Sequence, residues 1–205
     1  MFLTLFPTFL ITSILLSSSI SAYFICKLYN YPFINPEHYL KDKIKNISLV
    51  TMCVIINYHI IYEFYSKYYL YIQPISFLQR LFNILYFICI LEFIAYFYHR
   101  LSHSKYLYKY THYDHHKNII VYPIDFLEFD YLDNIAQTLY INLPLYFIPM
   151  NYYDYLLVYY IYSVGAFLIH SNLITEYHVL HHKYFKCNYG ILLPVYDILF
   201  NTYKV

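Results

Sequence analysis

Eight of the eleven histidines in this chain fall into three short clusters: His99-Arg-Leu-Ser-His103, His112-Tyr-Asp-His115-His116 and His178-Val-Leu-His181-His182. Each lies where a strongly apolar stretch gives way to polar sequence. Histidine is the commonest protein ligand for transition metals. On an α-helix, residues four apart stack one turn above each other, so His99 and His103 can offer two nitrogens to one ion. The i, i+3, i+4 spacing of the other two clusters presents three rings along one edge. The pattern implies a multi-histidine metal centre held at a membrane surface.

The membrane enters through composition. Hydrophobic residues make up 60% of the 205 residues and charged residues only 12%, against about 25% charged in a typical soluble domain. Such a chain cannot cover its own surface with polar groups, so most of that surface is expected to face lipid. The formal net charge of +1 excludes a broad electrostatic case for nucleic acid. The two glycines, Gly165 and Gly190, leave no phosphate-cradling loop or dinucleotide fingerprint. Cys26, Cys53, Cys89 and Cys187 form no C-x-x-C pair and read as reduced thiols in apolar surroundings.

The expected fold is all-α and integral to the membrane, with four to five transmembrane helices and a cytosolic histidine-rich cap. Residues 1–75 are expected to hold N-terminal spans and a polar loop, and residues 76–205 the catalytic domain. The first apolar stretch, to about Leu28, is longer than a signal-peptide core and reads as a retained span. Others run from Ile47 to Tyr65 and from Ile75 to Tyr98. The stretches Ile135 to Pro149 and Tyr152 to Ile169 suggest a hairpin that enters and leaves the bilayer. Lys41, Lys43 and Lys45, then Arg100, Lys105, Lys109 and Lys117, then Lys183 and Lys186 all fall on one side, taken as cytosolic. In that topology the glycosylation pattern at Asn46-Ile47-Ser48 stays unmodified.

Eight imidazoles are too many for one tetrahedral zinc, so two ions sharing the cluster is the economical arrangement. His170, at the end of the last apolar stretch, is the ninth candidate ligand; its bland alternative is a helix-terminal backbone hydrogen bond. His38 and His59 lie outside any cluster. An all-nitrogen set suits iron, zinc or copper. A reduced di-iron centre can activate dioxygen and cut an unactivated C–H bond, which zinc cannot. No H-E-x-x-H occurs, nor a credible nucleophile–base pair, so no catalytic residue is assigned beyond the ligands.

These residues resemble the integral-membrane sterol desaturase and fatty acid hydroxylase superfamily. The resemblance runs from His99-Arg-Leu-Ser-His103 through Tyr108-Lys109, His112-Tyr-Asp-His115-His116 and His170 to His178-Val-Leu-His181-His182-x-x-Phe185-x-x-Asn188-Tyr189-Gly190, with Asp197 and Leu199-Phe200. It covers about residues 76 to 205, and its C-terminal motif looks most like sterol C-5 desaturases. It implies two iron ions on His99, His103, His112, His115, His116, His170, His178, His181 and His182, with zinc an alternative in isolated protein. It also implies O2 as co-substrate, a sterol, sphingolipid or fatty acyl substrate, and electrons from a cytochrome b5-type donor and its reductase at the endoplasmic reticulum. Three departures stand out. Asp130 occupies the place of a usual histidine, where it could bind metal or orient a histidine; Asp133 lies just beyond. The linker from His170 to His178 is short, and Asn201-Thr202 replaces a terminal Gly-Thr.

The expected activity is therefore a membrane-bound, iron-dependent, O2-using lipid desaturase or hydroxylase. Arg100, Lys105, Lys109, Lys183 and Lys186 offer a docking face for an acidic electron carrier, or simply fix topology. Rivals are an acyl-CoA desaturase, disfavoured by the Asn188-Tyr189-Gly190 and Asp197 tail; a membrane metal transporter, whose ligands should lie near the midplane; and an inactive lipid-binding relative.

Overall fold

A computed structural model describes residues 2–34, 51–53, 55–57, 59–60, 63–64, 76–148 and 150–205, with the side chains of the first helix described from residue 12. Asn46, His38 and the lysines at 41, 43 and 45 lie outside these residues. Among the described residues the regular structure is entirely helical: α1 (Phe2–Leu28), α2 (Phe77–Ser102), α3 (Tyr108–Thr111), α4 (Tyr131–Asn142), α5 (Tyr152–Leu168), α6 (Tyr177–Tyr184) and α7 (Val195–Leu199). Two 3-10 turns, Pro123–Leu127 and Leu143–Tyr146, join them. The pieces at 51–53, 55–57, 59–60 and 63–64 are helical as well.

Helix α2 sets the frame. Ser76 caps it by accepting from the Gln79 N–H at 3.2 Å. One stripe, Asn83, Phe87, Leu91, Ala95 and His99, is buried at every fourth residue, so the inward face ends on a histidine. The opposite face leaves Phe77, Leu78, Phe82, Leu85 and Tyr86 exposed. At 26 residues α2 is the one described helix long and apolar enough to cross a membrane.

The neighbours of α2 alternate in direction. Arg80 near its start holds Asp154 at the start of α5 through two bonds of 2.9 and 2.5 Å, while His99 and His170 meet the other clusters at the far ends, so α2 and α5 run the same way. Helix α1 packs along α5, with Ser21 Oγ on Tyr160 Oη at 2.7 Å and Ala22, Cys26 and Phe33 clustered with Phe167 and Leu168, so it is parallel too. Helix α4 runs back: its first turn lies at the histidines, and Asn142 at its end accepts from Tyr155 at 2.7 Å. The 51–64 pieces run with α4, Cys53 beside Asn134 and Thr138 and Phe64 against Tyr146. Lipid gives helices no hydrophobic reason to associate. Polar ties such as Arg80–Asp154 and Asn142–Asn57 (2.5 Å) therefore supply specificity that close packing alone does not.

The expected hairpin differs in its first arm. Helix α4 has 12 residues, about 18 Å of helix, well short of a ~30 Å hydrocarbon layer. Pro144 converts its continuation to a 3-10 turn, and Asp133, Asn134, Thr138 and Asn142 are buried along one face. It is a short, polar-faced helix rather than a uniformly apolar arm.

Candidate metal centre

The nine candidate histidines are brought together, and they sort into two groups. In one, ring nitrogens of His99, His103, His112, His116 and His181 lie within 4.8 Å of one another; in the other, those of His115, His170, His178 and His182 do. The two H-x-x-H-H clusters are each divided. From 112/115/116, the i, i+4 pair joins the five-ring group and His115 the four-ring group. From 178/181/182, the i, i+4 pair joins the four-ring group and His181 crosses to the other. Spacing that presents three rings on an edge thus divides them between two neighbouring groups.

Local structure places each ring. His99 ends the buried stripe of α2 and His103 is the residue that caps its C-terminus. His112 to His116 form a turn, with the His116 N–H donating to the His112 carbonyl at 3.3 Å, rather than the helix expected. His178, His181 and His182 sit on α6, which Phe185 ends with a φ of 64°. His59 is exposed and outside both groups.

The tautomers follow from the partners. Carbonyl oxygens only accept, so a ring nitrogen bonded to one must carry the proton, leaving the other nitrogen as a bare lone pair. His99 Nδ1 donates to the Tyr189 carbonyl at 2.7 Å, His181 Nδ1 to Cys187 at 2.6 Å, His115 Nδ1 to Glu128 at 3.0 Å and His170 Nδ1 to Ala166 at 2.9 Å. His115 and His170 then face each other through their Nε2 atoms at 3.4 Å with no proton between them. Nε2 of His99, His103 and His112 and both nitrogens of His178 are buried without a hydrogen-bond partner. Leaving such groups unmatched costs about 1–3 kcal/mol each, and a cation removes that cost. Protons do not substitute: burial first, then the charge of neighbouring rings, pulls His103 down to about 2, His115 down to about 3, and His116, His181 and His182 well below the usual imidazole range. The donor set, all neutral nitrogen and aimed inward, fits first-row transition metals.

The acid seen on a ring of the cluster is Asp133. Asp133 Oδ2 accepts from His112 Nδ1 at 2.8 Å, and its other oxygen accepts from Tyr98 at 2.7 Å and Gln137 at 3.2 Å. Asp130 Oδ2 accepts the Asp114 N–H at 2.9 Å, shaping the His112–His116 turn, and Asp130 belongs to neither histidine group. Sequence reasoning placed Asp133 just beyond the position of interest without giving it the role.

The C-terminal block is scaffolding for the rings. Asp197 accepts from the N–H groups of Tyr189 (2.8 Å) and Gly190 (2.6 Å), from Thr202 Oγ1 (2.6 Å) and from the Tyr177 hydroxyl. Asn188 donates to the Tyr177 and Lys204 carbonyls at 2.9 Å. These bonds fix the carbonyls of Cys187 and Tyr189 that orient His181 and His99. A Cβ on Gly190 would meet the Leu193 carbonyl and the Tyr177 hydroxyl at 2.6 Å, so close approach requires glycine. Asn201, in place of glycine, has a φ of 55°, a left-handed conformation that asparagine tolerates better than most residues. Glu92, buried in α2, accepts from the N–H groups of Ile191, Leu192 and Leu193 at 3.0–3.3 Å. Nothing in the sequence but a lone acid in an apolar helix signalled it.

A family model described as fatty acid hydroxylase matches residues 84–202. The Delta(7)-sterol 5(6)-desaturase erg32 of Schizosaccharomyces pombe is 31% identical over 132 residues, 60% of this chain and 40% of that protein. Delta(7)-sterol 5(6)-desaturase ERG3B of Gibberella zeae is 34% identical over 107 residues, 46% of this chain and 33% of that protein. Very-long-chain aldehyde decarbonylase GL1-5 of Oryza sativa subsp. indica is 26% identical over 134 residues, 54% of this chain and 22% of that protein. The matched part of each spans less than half of the relative's length. No solved structure matches.

Proposed function

The chain belongs to the fatty acid hydroxylase family, and from that premise we propose that it is a membrane-bound, di-iron, O2-dependent lipid oxidoreductase, a sterol desaturase or lipid hydroxylase. The observation that carries the proposal is the pair of histidine groups, five and four rings, in which His99, His112, His115, His170 and His181 each have Nδ1 engaged and Nε2 left as a lone pair. Iron held there would supply the dioxygen activation that an unactivated C–H bond demands. His99, His103, His112, His116 and His181 hold one ion, and His115, His170, His178 and His182 the other.

The chain's own residues supply the rest. Backbone carbonyls hold His99, His115, His170 and His181, and Asp133 holds His112, in the metal-binding tautomer, which raises ligand basicity and fixes ring orientation. Aromatic rings shield the cluster from water: buried Phe129 stacks on His115 at 5.5 Å and half-buried Phe185 covers His116 at 4.8 Å. Four to five spans are supported by the alternating directions of α1, the 51–64 pieces, α2, α4 and α5. The histidine end is assigned to the cytosolic face of the endoplasmic reticulum. Arg100, Lys105, Lys109, Lys183 and Lys186 are exposed around that end and form the docking face for an acidic cytochrome b5-type donor. Ligands at helix ends rather than at mid-depth favour this activity over metal transport.

The test is iron content and turnover together. Purified protein should carry two irons per chain, and with NADH, reductase and carrier it should consume oxygen and yield an oxidised sterol, sphingolipid or acyl lipid. Iron-loaded, reduced protein that oxidises none of the three lipid classes sinks the proposal.

A further inference from the structure

Between Lys186 and Lys204 the one charged side chain is Asp197, and it is fully buried. Neighbouring helices measure how far this stretch descends from the rings. The N–H groups of Ile191, Leu192 and Leu193 donate to Glu92, which lies about 10 Å from His99 along α2, toward the Arg80 end. Leu192 rests on Gly165 of α5, where a Cβ would meet its side chain at 2.6 Å; Gly165 lies about 8 Å before His170. The Tyr196 hydroxyl donates to the Cys89 carbonyl at 2.9 Å, about 15 Å before His99. The 191–193 turn and α7 therefore sit alongside α2 and α5, not beyond their ends.

The descending backbone needs no water. Asn188 N–H donates to the Thr202 carbonyl at 2.9 Å, Tyr189 and Gly190 donate to Asp197, and the next three residues donate to Glu92. Pro194 has no N–H to satisfy. On the way back, Ile198, Phe200, Asn201, Thr202 and Tyr203 donate to backbone carbonyls, and Lys204 donates to Asn188 Oδ1 at 2.7 Å. Irregular backbone persists at membrane depth only where protein groups satisfy it. A turn in water would have its N–H groups solvated and would need neither carboxylate for that purpose.

The outward side chains are apolar. Val195, Ile198 and Leu199 are 55, 58 and 65% exposed, while Tyr196 and Phe200 turn inward onto Phe93, Tyr96 and Phe97 of α2 at 5.2–5.4 Å. Phe93 and Phe97 continue a stripe that begins with Phe82, Tyr86 and Cys89, spaced by three or four residues on one face of α2. Phe82 and Tyr86 are exposed, so α7 and outer α2 form one continuous apolar surface. We propose that residues 191–200 are a re-entrant segment embedded in the acyl layer of the leaflet on the histidine side, with lipid acyl chains covering α7. Lys186 and Lys204 then mark where the chain leaves and regains the headgroups. The segment follows directly from Tyr189, whose carbonyl orients His99, and so anchors the scaffold of the rings in the bilayer. This rests on the membrane-bound reading above and adds a lipid contact outside the spanning helices.

The test needs neither metal nor turnover. Unmodified protein in phosphatidylcholine nanodiscs is photolysed with an aryl diazirine that partitions into acyl chains, and the labelled residues are mapped by mass spectrometry. Val195, Ile198 and Leu199 should carry label within about threefold of Leu85 on outer α2, and at least about tenfold more than Lys183 and Tyr184 on α6. A nitroxide at Ile198→Cys, in a Cys89→Ser background, gives a second reading. Dissolved oxygen should relax it and a water-soluble nickel chelate should not, as at Leu85→Cys and opposite to Lys183→Cys. Label on Leu85 without label on α7, or nickel reaching Ile198→Cys as it reaches Lys183→Cys, overturns the re-entrant segment and leaves the membrane-bound reading standing. Exclusion of both relaxants from Ile198→Cys shows a protein surface over α7 and overturns it too. Absence of label from Leu85 as well removes the membrane-bound reading, and the segment falls with it.

Discussion

Asp133 and Asp130 sit three residues apart and do different work, and a pair of conservative substitutions separates them. Asp133→Asn keeps an oxygen for the His112 ring but removes the charge that makes the imidazole a better ligand. Loss of such an outer partner typically weakens metal binding about 10- to 100-fold. Asp130→Asn keeps an acceptor for the Asp114 N–H and should change metal affinity by less than about twofold. Competition with a metallochromic chelator, read against metal content per chain, measures both. If Asp130→Asn proves the more damaging, the assignment of Asp133 as the outer partner is wrong. The clusters themselves were legible because ligand spacing within a turn is local information. The choice between the two acids was not, since it depends on helix phase: Asp130 is the residue before α4 begins, and Asp133 is in its first turn and fully buried.

At the level of elements, Glu92 of α2 is the carboxylate that holds the backbone of the 191–193 turn. Glu92→Leu would leave the N–H groups of Ile191, Leu192 and Leu193 without their acceptor, at about 1–3 kcal/mol for each one that stays buried. Amide hydrogen exchange at 191–193 should speed up by at least about tenfold, and exchange at Tyr189 should follow as its grip on His99 loosens. Glu92→Gln, which retains one acceptor, should fall between the two. Unchanged protection in Glu92→Leu would show that the 191–193 turn does not depend on Glu92. The Asn188-Tyr189-Gly190 and Asp197 motif was visible as a pattern, yet its physical purpose required coordinates. It positions backbone carbonyls, and a carbonyl's target is invisible in a side-chain pattern. The replacement of glycine by Asn201 likewise looked like a departure in the sequence and is conformationally mild in the fold.

At the scale of the whole molecule, the directions of the helices commit the protein to two chemically distinct ends. From Arg80 to His99 α2 climbs about 28 Å, close to the thickness of a hydrocarbon core. On the proposed membrane-bound reading, the salt bridge to Asp154 lies near one boundary and the histidines near the other. The apolar runs in the sequence conveyed the length of α2. They concealed the shortness of α4, because Leu139, Leu143, Tyr146 and Phe147, exposed on its outer side and in the turn that follows, extend the run past the point where Pro144 ends the regular helix. A labelling experiment tests the arrangement. In sealed vesicles of known orientation, a membrane-impermeant maleimide should reach Lys105→Cys and Lys183→Cys from the cytosolic side, each above the background of the unmodified protein. It should reach Tyr153→Cys, at the exposed start of α5, only after the membrane is opened. The native thiols give little background, since Cys26, Cys53 and Cys187 are buried and Cys89 lies mid-length on α2, at lipid depth. Labelling of Lys105→Cys and Lys183→Cys from opposite sides would place rings of one ion in different leaflets, and no shared metal centre survives that result.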